Sequence, residues 1–117
     1  MIIEAETLAK LCAEYAANKK AEDIIAIDLR GISGFTDFFV ICSGTSEPHL
    51  KAIANEIHGQ LKKDHGVNAH KVDGFPMSQW IVMDFSDVVV HIFHEEKRRY
   101  YCLEELWGDA PRLDVAS

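Results

Sequence analysis

Four side chains in the stretch MDFSDVVVHIFHEE, residues 83–96, are of types that could do chemistry: Asp84, Asp87, His91 and His94. Carboxylates that share a divalent cation must converge to ordinary coordination distance. Metal-dependent nucleotidyltransferases achieve this with an Asp-x-Asp pair on one strand face. Asp84 and Asp87 are three apart and straddle a turn, so they are expected to finish a hairpin by accepting backbone hydrogen bonds. His91 and His94, three apart on a strand, face opposite sides, and no cysteine or third histidine stands at zinc spacing. His91 is therefore read as a buried or half-buried imidazole with a hydrogen-bond partner. Cys42 lies in an apolar run without a nearby base in sequence, where a thiolate is disfavoured, and is read as packing.

A second candidate is the turn Gly44-Thr45-Ser46, where an apolar run meets a helical pattern. A strand that delivers small residues to a helix N-terminus can cradle a phosphate. Such a loop needs several glycines and usually a lysine, whereas here Gly44 stands alone and Lys51 lies well inside the helix. Pro48 suits a first helical turn and Thr45 or Ser46 can cap it, so a helix start is the expectation.

The elements that must position these residues follow from hydrophobic spacing. Residues 4–19 place Leu8, Leu11, Cys12, Tyr15 and Ala16 on one helical stripe. Asp23–Leu29 is a β-rich run, followed by a glycine-broken loop. Phe38–Ser43 has no polar break before its last residue, which suits a central strand covered on both faces. A helix runs from Ser46 to His65 with Leu50, Ile53, Ile57 and Leu61 on one face, and Gly66 supplies its stop. VNAHKV is a weak strand; QWIVMDF and DVVVHIF are strong ones, so close together that they form a hairpin. Parity puts Trp80, Val82 and Asp84 on one side of their strand and Ile81, Met83 and Phe85 on the other. From Glu95 to Trp107 the pattern is helical again, with Tyr100, Leu103 and Trp107 along one side. The order α-β-β-α-β-β-β-α predicts an α/β (α+β) fold: one mixed sheet of about five strands flanked by helices.

A chain of 117 residues is one domain by length and buries roughly 65% of its unfolded surface. Residues 1–110 are read as that domain and 111–117 as a C-terminal tail. No apolar run reaches the roughly 18 residues of a membrane helix, and MIIEAETLAKL reads as neither signal nor transit peptide. Three widely spaced cysteines in apolar patterns read as buried thiols of a reducing cytoplasm. The net charge of −7 argues against a surface built to grip phosphates and suits a basic partner.

Taken together, Thr36-Asp37, Gly44-Thr45-Ser46 with His49, Trp80, Asp84, the string Asp87-Val88-Val89-Val90-His91, and Arg98 with Tyr101, Leu103-Glu104 and Leu106-Trp107 resemble the Iojap-related ribosomal silencing factors. The resemblance runs from about Asp23 to Ala110. It implies a nucleotidyltransferase-like fold without catalytic carboxylates, no enzymatic activity and no cofactor or metal. It also implies a partner, ribosomal protein fourteen of the large subunit, whose occupation blocks joining of the small subunit and reduces translation when nutrients are scarce. A homodimer in the free state and little direct nucleic-acid contact are further expectations. A dimeric assembly factor for the large subunit is an alternative within the same resemblance. A metal-dependent nucleotidyltransferase is the alternative outside it.

Contact with the partner is expected from the hairpin face and the last helix: Trp80, Asp84, Asp87, His91, Arg98, Tyr101 and Glu104. Aromatic and arginine side chains anchor interfaces, and acids can pair with a basic protein. Arg98 could equally bridge internally to an acid. The turn Phe85-Ser86-Asp87 departs from a Gly-Asp turn of the resembled family, which suggests a different turn type and leaves the position of Asp87 open.

Overall fold

The computed structural model describes residues 4–32, 36–74, 79–101, 110–113 and 115, with Tyr100 and Tyr101 described by backbone alone. Helix α1 (Ala5–Asn18) buries Leu8, Cys12, Tyr15 and Ala16, four of the five stripe residues. Helix α2 (Glu47–His65) buries Leu50, Ile53, Ala54, Ile57 and Leu61. Its ends are locally encoded. Ser46 Oγ accepts from the His49 N–H at 3.2 Å, Pro48 occupies the first turn, and Gly66 closes the helix at φ 67°. A left-handed residue at this point costs least when it is glycine.

Both helices lie on one face of a six-stranded sheet formed by β1 (Glu22–Asp28), β2 (Phe38–Gly44), β3 (Lys71–Asp73), β4 (Trp80–Asp84), β5 (Val88–His94) and β6 (Arg112–Leu113). The spatial order is β3-β4-β5-β2-β1-β6. Only β2 and β5 run parallel; the other pairings are antiparallel. β2 is central and all seven of its residues are buried, as an unbroken apolar run requires.

Three differences from the sequence reading have local causes. The weak strand expected over Val67–Val72 begins only at Lys71, where its backbone first meets β4; His70 N–H reaches the Asp84 carbonyl at 2.7 Å just before it. A sixth strand, β6, lies in the segment read as a tail, because Leu113 and Arg112 pair with Ala26 and Ile27 at the edge of β1. The third helix, α3, spans Glu95–Tyr101; the expected continuation to Trp107, with Leu103, falls outside the described residues, as do the side chain of Tyr100 and the whole of Cys102.

The two sheet faces carry separate cores. Ile24, Ala26, Val40, Cys42, Ile81, Met83, Val90 and Ile92 meet the helices. Ile27, Leu29, Phe39, Ile41, Val89, Phe93 and Ala110 form a smaller cluster on the opposite face, with Trp80 and Val82 partly buried at its margin.

Candidate functional site

The β4–β5 hairpin builds this second face by cross-strand register. Trp80 pairs with Phe93, Val82 with His91 and Asp84 with Val89, while Lys71 and Asp73 of β3 flank Asp84 and Val82. The predicted alternation along β4 is present: Ile81 and Met83 are buried, Trp80, Val82 and Asp84 half-buried. The Trp80 indole stacks on Phe93 with centroids 4.8 Å apart and planes at 24°. Beside it lies a hollow of about 410 Å³. Phe39, Val82 and Val89 give it an apolar floor, and Lys71, Asp73 and Asp84 stand around it with His91.

His91 is 7% exposed. Its Nδ1 accepts the Trp80 Nε1–H at 3.1 Å, and its ring meets Phe39 edge-on with centroids 4.6 Å apart. Indole nitrogen only donates, so Nδ1 carries the lone pair and the imidazole proton sits on Nε2. Nε2 is buried without a hydrogen-bond partner. Burial pushes the imidazole down to about 4, since removing the ring from water disfavours its charged form.

Asp84 finishes the hairpin as expected: its Oδ1 accepts the Ser86 N–H at 2.8 Å. Asp87 is exposed at the tip, and its carbonyl accepts from the backbone N–H groups of Asp37 and Phe38, tying the hairpin to β2. Ser86 adopts φ 73°. Ser86 thus sits in the left-handed conformation that a glycine would adopt at less cost, and its N–H is held by the Asp84 carboxylate.

Two of the residues expected at a partner surface are turned inward. His91 is one. Arg98 is the other, 8% exposed, with Nη1 donating to Ser43 Oγ at 2.9 Å and to the Glu22 carbonyl at 3.4 Å. An internal role for Arg98, the alternative to contact, is supported by these bonds to a hydroxyl and a carbonyl. A guanidinium placed over a strand end finds backbone and hydroxyl acceptors there, and burial requires that it be bonded. The side chain of Tyr101 and all of Glu104 lie outside the described residues. The structure therefore brings Trp80, Asp84 and His91 together, sets Asp87 at the tip, and separates Arg98.

The chemical alternatives lose their geometry. Among the described residues no group of three His, Cys, Asp or Glu side chains could hold a metal ion. The Gly44-Thr45-Ser46 turn is occupied by its own chain: His49 Nδ1 accepts the Thr45 N–H at 3.0 Å and Nε2–H donates to the Lys19 carbonyl at 2.7 Å. A Cβ at Gly44 would meet Leu50 Cδ1 at 2.8 Å, so that glycine serves helix packing. Cys12 and Cys42 are buried free thiols; burial raises both, Cys42 to about 12, so neither is a nucleophile. His94 starts α3, its Nδ1 accepting the Glu96 N–H at 3.3 Å. No described helix is long and apolar enough to cross a membrane.

Phe39, Phe93, Lys71 and Asp73 belong to this face and were not singled out by sequence, and Val89 entered only as part of the string Asp87-Val88-Val89-Val90-His91. In the run Phe38–Cys42 of β2 no polar residue marks which side is outward, and in β5 the one internal polar residue, His91, is itself buried. Only the alternation Lys71-Val72-Asp73 carried a readable sign of an edge strand.

A single mixed sheet with α1 and α2 on one face and an aromatic, acid-edged hairpin on the other defines a protein of the α/β class. The family model described as "Ribosomal silencing factor during starvation" matches residues 2–117. The chain is 44% identical over 110 residues to ribosomal silencing factor RsfS of Bacillus subtilis, covering 94% of this chain and 92% of that protein. It is 40% identical to RsfS of Halalkalibacterium halodurans over 94% of this chain and 93% of the relative. A crystal structure of a Chromobacterium violaceum protein superposes with a TM-score of 0.86 at 30% identity, covering 98% of this chain and 94% of that one. The chain belongs to the ribosomal silencing factor family, whose members are ribosome-associated regulatory factors and not enzymes.

Proposed function

We propose that this protein binds ribosomal protein fourteen of the large ribosomal subunit and, by standing where the small subunit must dock, lowers translation when nutrients are scarce. The observation that carries the reading is the hairpin face: a half-buried Trp80 stacked on Phe93, next to an apolar-floored hollow edged by Asp73 and Asp84. Large aromatic residues at the centre of a patch anchor interfaces, and peripheral acids set orientation and association rate against a basic partner. A net charge of −7 disfavours direct binding to ribosomal RNA. Trp80, Asp84 and Asp87 make the contacts in this reading, His91 and Arg98 support from inside, and Tyr101 and Glu104 remain proposed contacts from the sequence alone.

Blocking subunit joining needs no bond to form or break. It requires occupied volume and dissociation slow compared with subunit encounter. Sedimentation of ribosomes through sucrose with the purified protein tests the reading. The parent chain should migrate with large subunits and reduce joined ribosomes; Trp80→Ala and Asp84→Lys should stay folded and lose about tenfold or more in binding, as truncated anchors do. Normal binding by both variants would remove the hairpin face from the interface.

A further inference from the structure

Trp80 is the first residue of β4, where a side chain is held less firmly by its own strand than in the middle of a ladder. A freely rotating indole would have to be ordered on binding, which weakens association. Two neighbours on β5 restrict it: Phe93 beneath the ring and His91 at its nitrogen. Stacking alone leaves the indole able to slide and turn over. The hydrogen bond to His91 Nδ1 does not, because it is directional and the imidazole cannot move to follow. That imidazole lies between Val82 and Ile41 in the ladder and against Phe39.

The group that holds the indole is a costly one. Nε2 of His91 is buried with no hydrogen-bond partner, and an unsatisfied buried donor destabilises a fold. An apolar side chain would fill the same site without that penalty. Among the described residues the one hydrogen bond the ring makes is the one from Trp80. From this juxtaposition we propose that His91 is a positioning residue. As the neutral Nε2–H tautomer, it fixes the Trp80 indole in the pose that docks on the partner. The indole N–H is thereby occupied internally, so Trp80 meets its partner through carbon surface, and the slot that receives it is apolar. This inference rests on the reading of Trp80 as a contact residue.

The test uses the full chain, with large subunits as the binding partner. His91→Phe keeps an aromatic ring but removes the acceptor; His91→Asn keeps an acceptor at the δ position. Nitrogen-15 spectra of the parent should show Nδ1 unprotonated and the Trp80 indole proton slow to exchange. His91→Phe should release that proton and bind large subunits about five- to tenfold more weakly, mainly through faster dissociation. His91→Asn should restore the protected indole proton and bring binding back to within about twofold. An Nδ1–H tautomer in the parent chain overturns the proposal without any variant. So does parental affinity in His91→Phe, or weak binding in His91→Asn with its indole proton still protected. If the parent itself binds no large subunit, the partner reading fails. The positioning claim then stands or falls on whether His91→Phe frees the indole proton.

Discussion

Acidification offers a quantitative check on how the hairpin face is built. His91 titrates near 4 in the folded chain against an ordinary value of 6.5, because the ring is desolvated. Between those two values the unfolded chain holds the proton and the folded chain does not. Stability therefore rises with pH across that window, is complete above 6.5 and is lost as pH falls through the folded value. At about 1.4 kcal/mol for each pH unit, the interval corresponds to about 3 kcal/mol, a sizeable share of the roughly 5–15 kcal/mol of a typical domain. In melting temperature that is roughly 10 °C. Urea unfolding of the parent and of His91→Phe at pH 7 and pH 4 isolates the effect, since carboxylates shared by both proteins cancel in the difference. At pH 7 His91→Phe exchanges loss of the bond from the Trp80 N–H for removal of the unsatisfied Nε2–H, so the two proteins should start close in stability. By pH 4 the parent should fall below His91→Phe by about 3 kcal/mol. A gap that stays constant to within about 0.5 kcal/mol, or a His91 resonance titrating above pH 6, would refute the desolvation argument.

Two further outcomes test local parts of the frame. Ser46→Ala should cost about 1 kcal/mol by leaving the His49 N–H without its cap, read as a lower urea midpoint at unchanged slope. Ser86→Gly should stabilise the chain by about 1 kcal/mol, because the residue already sits at φ 73° where glycine carries no side-chain penalty; a loss of stability would mean that the serine side chain contributes a bond of its own.

What proved legible was what depends on near neighbours. Ser46 and Gly66 mark the two ends of α2 through bonds that span at most five residues, so the residues themselves announce them. The helical stripes of α1 and α2 and the alternation along β4 are likewise local periodicities, and they placed Trp80 and Asp84 on one face correctly. The spacing of Asp84 and Asp87 was enough to set aside a shared metal, and Asp84 duly closes its turn.

Arg98 shows where such reasoning stops. Sequence left contact and internal bonding open, and the choice was made by Ser43 and the Glu22 carbonyl, 55 and 76 residues away. His49 is similar: its role as a tie from α2 to the Lys19 carbonyl depends on two helices meeting. FFVIC has no polar residue to tell its sides apart, and the single His91 of VVVHIF is itself buried, so that Phe39, Phe93 and His91 share a face with Trp80 emerges only from strand pairing. β6, two residues long, exists because β1 has an edge to offer.

By itself, then, the chain determined its two long helices, the ends of α2, the β4–β5 hairpin and its acidic charge, all of which are short-range or compositional properties. Tertiary structure decided which rings meet, which cation is buried and which histidine nitrogen keeps its proton. Those outcomes depend on contacts across the sheet, and a contact between distant residues has no local imprint to read.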